Sequence, residues 1–274
     1  MADTVTGAEL TEGERWSREQ LAALLEGRFS PASIGRFLLA SQRRANAVRS
    51  DRPDLARQAW TWMAAGGGAW LILAGAGAQP FRRRWRGGLA WWAATAVMLD
   101  WHLGMVETPD GRPCGLGPAD AVTLLRAWLV PVALDDPTPA VCGLAAVSDV
   151  LDGRLARRSR STRIGRDLEG LVDACFAAAA LHAARRRELV ARSVVAGELA
   201  RLAAGFGYAL YVYFGRVGAP DPRVIRAGRA TTPVRAAGLV AAGLGRRRAA
   251  GALLAGGAGW SVVAVGRALG GSSA

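Results

Sequence analysis

Lysine is missing altogether. All 35 basic side chains of the 274 residues are arginine, against 22 acids, for a net charge of +13. So complete a bias reads as GC-rich coding rather than as a surface selected for recognition. The arginines gather mainly between apolar stretches, where they would meet anionic lipid headgroups. No zinc-ligand pattern, helix-turn-helix or aromatic RNA-binding signature accompanies them, so the charge does not point to a nucleic-acid partner. Cysteine is scarce: Cys114, Cys142 and Cys175 have neither metal-ligand spacing nor an even-numbered disulfide pattern, which leaves them as small core residues. Histidine is scarcer still. His102, beside Asp100, sits near the end of an apolar stretch and reads as interfacial, and His182 has no partner in sequence. A basic-then-apolar signal peptide is not expected at the start of the chain, and there is no internal repeat or long low-complexity linker.

Apolar residues, by contrast, make up 51% of the chain. A membrane-crossing helix needs about 20 mostly apolar residues, and the candidate spans are 60–79, 88–105, 119–134, 139–155, 167–184, 194–214, 232–245 and 249–265. Some are short or carry charges, as expected of helices that bury a polar site, and their glycines and alanines would let them pack closely. A loop is expected at Gly218-Ala219-Pro220-Asp221-Pro222. Residues 1–58 are polar and begin with Asp3, Glu9, Glu12 and Glu14. Within them, 30–49 reads as an amphipathic helix with Ile34, Phe37, Leu38 and Ala45 on one side, suited either to the membrane interface or to packing against the rest of the protein. Arginine-rich stretches at 154–166 and 216–229 would share the cytoplasmic side. Arg185–Arg187 and Arg246–Arg248 would then face the other, so charge alone leaves the topology open.

Against this apolar background four acids stand out: Asp149, Asp152, Glu169 and Asp173. At about 100° per residue, Asp149, Asp152, Gly153, Ala156 and Arg157 share one side of a helix. Gly165, Glu169 and Asp173, stepping by four, form a slowly drifting stripe on the next. Facing helices would gather four carboxylates, which cannot all stay ionised unless cations compensate them. Hard Mg²⁺ or Mn²⁺ ions prefer oxygen donors and commonly share them with phosphate. Glycine and Ala156 would let a bulky ligand approach the backbone. The residues therefore describe a two-metal, phosphate-handling site. Elsewhere, Glu198 and Arg201, three apart, read as an intramembrane ion pair or an acceptor contact. Arg126 and Arg229 read as holders of a substrate phosphate or as snorkelling cations.

Asp149-x-x-Asp152-Gly153-x-x-Ala156-Arg157, seven residues, then Gly165-x-x-x-Glu169-x-x-x-Asp173 resembles the signature of the CDP-alcohol phosphotransferase (CDP-alcohol phosphatidyltransferase) family. The family has aspartate where this chain has Glu169, whose extra methylene carries the carboxylate outward by roughly 1.5 Å. Asp167, roughly 200° round the helix from that position, is expected at the helix start, where the macrodipole favours an acid. Two flanking stretches are also similar to the family's. Pro118-Ala119-Asp120-Ala121-Val122-Thr123-Leu124-Leu125-Arg126 stands where the family opens its first helix, with Asp120 for asparagine. Gly228-Arg229-Ala230-Thr231-Thr232 stands before its fifth, with Arg229 for lysine.

The resemblance implies an all-α, polytopic membrane protein. Its six-helix core would occupy 115–270, preceded by an extra transmembrane pair at 59–110 and the polar segment 1–58. It implies a site facing the cytoplasm in the bacterial inner membrane, and leaves a homodimer open. Asp149, Asp152, Glu169 and Asp173 would hold two Mg²⁺ or Mn²⁺ ions on the donor's pyrophosphate, with Asp173 as the base. Gly153, Ala156 and Gly165 would shape the cytidine pocket and Arg157 would brace it. Arg126 and Arg229 would contact substrate. The expected reaction moves a phosphatidyl group from CDP-diacylglycerol to a small hydroxyl acceptor, glycerol 3-phosphate first and inositol phosphate second, releasing CMP. The alternative is an altered member acting as a membrane scaffold or transporter-like protein.

Overall fold

A computed structural model describes residues 11–108, 111–158, 162–215 and 221–270. Among them the chain forms ten α-helices and no strand; one isolated bridge joins Glu107 and Pro113. The helices are α1 Glu12–Glu26, α2 Pro31–Asp51, α3 Pro53–Gly75, α4 Trp85–Trp101, α5 Pro118–Asp135, α6 Pro139–Arg158, α7 Arg163–Arg186, α8 Arg192–Gly215, α9 Pro222–Gly243 and α10 Arg247–Gly270. They belong to two compact units. The first reaches to Leu124 and takes in Leu151–Gly170; the second is Leu125–Val150 with the chain from Leu171 onward.

The first unit starts from caps. Thr11 closes a capping box on α1: its hydroxyl accepts from the Glu14 backbone at 3.4 Å while its own N–H donates to the Glu14 carboxylate at 3.1 Å. Ser30 caps α2 through its hydroxyl alone, accepting from Ser33 N at 3.3 Å, with Pro31 at the first helical position. The face that α2 buries is small and polar, through Ser33, Ser41 and Ala45, whereas Ile34 and Leu38 stand exposed. Ile34, Phe37, Leu38 and Ala45 stand on the helix as the expected grouping had them, but of the four only Ala45 is buried. The helix packs its narrow face inward because Ser33 and Ser41 return their hydroxyls to nearby backbone carbonyls.

α3 and α4 interlock through tryptophan and glycine. A Cβ at Gly66 would stand 2.3 Å from Trp92 Cζ2, and one at Gly88 would stand 2.0 Å from Trp70 Cζ2. Each helix thus removes a side chain where the other inserts an indole, and Trp92 Nε1 donates to the Met63 carbonyl at 2.7 Å. Below them Gln58 exchanges two 3.0 Å hydrogen bonds with the backbone of Leu116. That fixes the approach to α5.

In the second unit α8, α9 and α10 pack together. Asp221 caps α9, accepting from Arg223 N at 2.7 Å, with Pro222 at the first helical position. Asp221 N also donates to the Tyr208 hydroxyl at 2.7 Å, tying α9 to α8. α9 therefore begins ten residues before the expected span at 232, and Gly228–Thr232 lies inside the helix rather than ahead of it. The cap outweighs Pro233, which α9 tolerates in its interior. Residues 218–220 of the expected loop lie outside the described residues. Gly245, at φ +72°, turns the chain from α9 into α10 in the left-handed conformation that glycine adopts readily.

Among the described residues one helix is long and apolar enough to cross a membrane, α10, with mean hydropathy 1.5 over its best window and only 28% of that window buried. Its 24 residues rise about 36 Å, enough for a ~30 Å hydrocarbon layer. The other expected spans fall below that measure for visible reasons. α4 has 17 residues, α3 is diluted by glycine and tryptophan, and α5 to α9 carry charges.

Candidate functional site

Each signature acid sits where helix periodicity puts it. Asp149 and Asp152 lie one turn apart on α6, and Glu169 and Asp173 one turn apart on α7. α7 opens at Thr162, whose hydroxyl accepts from Gly165 N at 2.9 Å, the hydrogen bond of an N-cap. Asp167 consequently belongs to the second turn, not to the helix start as expected; its side chain lies outside the described residues.

In the second unit Asp149 and Asp173 meet. They offer carboxylate oxygens within 4.8 Å of one another, and both are bound by Arg126 of α5. Arg126 Nη1 donates to Asp149 Oδ1 at 3.0 Å and makes a short contact with Asp173 Oδ1. The arginine side chain is 2% exposed, while the acids, at 26% and 38%, open toward an adjoining pocket. Cys142, Ala145, Phe176, Thr232, Arg235 and Leu239 are among the residues that line it. Closely spaced carboxylates of this kind are hard oxygen donors suited to a divalent cation. Arg126, a buried cation already shared by the two, shows that positive charge is accommodated there. Glu169 lies on α7 within the first unit and is partly buried.

In the first unit Asp152 is buried, and Thr123 Oγ1 donates to its Oδ2 at 2.6 Å. Asp120, at the asparagine position of the family's first helix, accepts from Gly117 N at 2.7 Å and from the Thr162 hydroxyl at 2.5 Å. This explains Gly165. A Cβ there would stand 2.5 Å from Asp120 Oδ1 and 2.8 Å from Thr162 Oγ1, so the space that glycine leaves is taken by protein oxygens. Gly153 is partly buried on α6. Ala156 and Arg157 continue that helix, their side chains lying outside the described residues.

Of the two arginines expected to meet substrate, Arg126 is in the acid pocket and Arg229 is exposed on α9. The arginine of α9 that lines the pocket is Arg235, which the sequence reading passed over. It is held by Glu198 of α8, which is fully buried and also accepts from Arg201 Nε at 2.9 Å. The Glu198–Arg201 pairing was legible from its spacing of three; the arm from α9 was not. Asp100 is buried too, and its partner is Arg49 of α2.

The family model for CDP-alcohol phosphatidyltransferase matches residues 118–263, more than half of the chain, from the first residue of α5 into α10. No curated protein and no solved structure matches the chain significantly.

Proposed function

Because the chain belongs to the CDP-alcohol phosphatidyltransferase family, we propose that it moves a phosphatidyl group from CDP-diacylglycerol to a small hydroxyl acceptor, releasing CMP. Glycerol 3-phosphate is the first choice of acceptor and inositol phosphate the second. The family makes the protein a phosphotransferase enzyme acting on a CDP-alcohol, and its members are membrane proteins. The observation that carries the finer reading is the meeting of Asp149 and Asp173 on Arg126 at the mouth of one pocket.

Asp149, Asp152, Glu169 and Asp173 would hold two Mg²⁺ or Mn²⁺ ions. Bound there, the ions would neutralise the donor's pyrophosphate and the charge growing on departing CMP. The acceptor oxygen forms its bond to the phosphorus that bears diacylglycerol, the bridging bond from that phosphorus to CMP breaks, and the acceptor proton passes to a carboxylate oxygen of Asp173. Asp173 suits this role by being the more exposed of the two acids on Arg126. Arg126 sets a positive charge against both carboxylates. Gly153, Ala156 and Arg157 would face the cytidine, and Arg229 a substrate or headgroup phosphate; Gly165, expected in the same pocket, makes room for Asp120 instead.

The fold reading is a multi-pass protein of the bacterial inner membrane with the site toward the cytoplasm. The exposed Leu199, Phe206, Leu210, Trp260 and Val263 on α8 and α10 support contact with lipid. The domain reading is a core at 115–270, an added pair at 59–110 and an interfacial segment before it.

The test is CMP release from CDP-diacylglycerol by purified protein, with product mass scored across an acceptor panel. Chelation of divalent ions is expected to stop release and added Mg²⁺ or Mn²⁺ to restore it; Asp173→Asn is expected to abolish it. Full activity in Asp173→Asn would remove the base from that residue. No release under any condition would favour the scaffold or transporter-like reading, in which Arg126 serves as the permanent counter-ion.

A further inference from the structure

Beside the acids of the second unit's pocket lies a group of charges that the transfer step does not call on. Glu198, at 0% exposure, accepts from Arg201 Nε at 2.9 Å and from Arg235 Nε at 3.1 Å to each of its oxygens. Arg201 comes from the next turn of the same helix and Arg235 from α9. The stem of Arg235 lies against α10 at Gly257, where a Cβ would stand 2.7 Å from Arg235 Cγ and 3.2 Å from Cδ. Three helices therefore fix one guanidinium. One arginine is enough to compensate a buried carboxylate; two leave a positive charge over, in surroundings where charge is costly to desolvate. Arg235 hydrogen-bonds Glu198 through Nε, and its guanidinium also lies near enough to feel the charge of Asp173 across the pocket. The same side chain lines the pocket with Asp149 and Asp173. Two adjacent N–H donors in a rigid plane match the oxygens of a phosphate.

We propose that Arg235 is the specificity-determining residue for the acceptor, pairing with a phosphomonoester carried on the alcohol, and that Glu198 is the positioning residue that aims it. This rests on the transferase reading and names which end of the pocket takes which end of the acceptor. The hydroxyl goes to the Asp173 wall, which carries a net negative charge with Asp149 and Arg126. The phosphate goes to the Glu198–Arg201–Arg235 wall, which carries a net positive one.

The test uses the full chain in detergent with CDP-diacylglycerol, comparing glycerol 3-phosphate with glycerol, which has the hydroxyls without the phosphate. Arg235→Gln is expected to lower the preference for glycerol 3-phosphate, as a ratio of kcat/KM values, by about tenfold or more through its KM, while KM for CDP-diacylglycerol moves less than about twofold. Arg235→Lys, keeping charge but not the fork, is expected to recover part of the loss. Glu198→Gln is expected to shift the same ratio the same way by a smaller factor. Calorimetric binding of glycerol 3-phosphate, without donor, should weaken in parallel. An unchanged ratio, or a KM rise confined to CDP-diacylglycerol, overturns the proposal. Should Arg235→Gln lose its helical circular dichroism, Arg235→Lys carries the same comparisons. If the wild type releases no CMP with any acceptor, the transferase reading fails by itself. Calorimetry then decides the role of Arg235: binding by the wild type that is weakened in Arg235→Lys supports it, and absent or equal binding overturns it.

Discussion

Arg126 joins Asp149 and Asp173, the two acids on which the proposed function leans, and its removal tells most about them. In Arg126→Met, Asp149 and Asp173 lose their shared cation while keeping similar side-chain bulk beside them. Breaking a fully buried pair costs about 3–5 kcal/mol. The acids here are 26% and 38% exposed, so water recovers part of that and we expect a loss of about 2 kcal/mol. A lower midpoint in thermal unfolding checks it, and added divalent ion should narrow the gap by supplying cation to the same carboxylates. Glu169 makes a milder case. Glu169→Asp shortens the side chain to the family's form, and CMP release is expected to be preserved or raised. A fall would show that the rest of this site is built around the longer acid.

At the level of helices, what decides packing is where a side chain is absent. Gly88→Ala would drive a methyl group into Trp70, 1% exposed and fixed edge-on against Phe81. Such overpacking is expected to cost about 1–3 kcal/mol. Gly68→Ala, with nothing within 4 Å of the added carbon, is expected to be neutral or slightly stabilising through helix propensity. Unfolding midpoints of the two variants test the Trp–Gly interlock, which equal values would exclude. The same contrast shows how far sequence reading reaches. Both glycines sit in apolar runs that read as close-packing helices, yet nothing in the runs tells the one that accepts an indole from the one that faces open space. α9 repeats the lesson. Gly228–Thr232 reads as standing before a helix that begins at 232, while the helix begins at Pro222, ten residues earlier, where Asp221 caps it.

For the molecule as a whole, the family's members are membrane proteins, and α10 alone among the described helices meets the measure of length and apolarity on its own. The polytopic reading predicts that the chain stays in the membrane pellet through an alkaline carbonate wash and leaves it with detergent. Release by carbonate would restrict it to peripheral attachment. Charges in α5 to α9 do not count against the reading where each has a partner, as Arg126 and Glu198 have. Partnered charge can be buried at far smaller cost than a lone ion.

Sequence by itself determined the helical class, the order of the elements and the four acids, because a period of 3.6 residues and a fixed motif spacing are local properties that survive without a fold. The Glu198–Arg201 pair was legible for the same reason. Tertiary structure decided what those residues meet: that Asp149 and Asp173 share Arg126, that Gly165 makes room for Asp120, and that Arg235 rather than Arg229 lines the pocket. These are contacts between residues tens of positions apart. Their partners are selected by shape and charge across helices, quantities that come into being only when the helices pack.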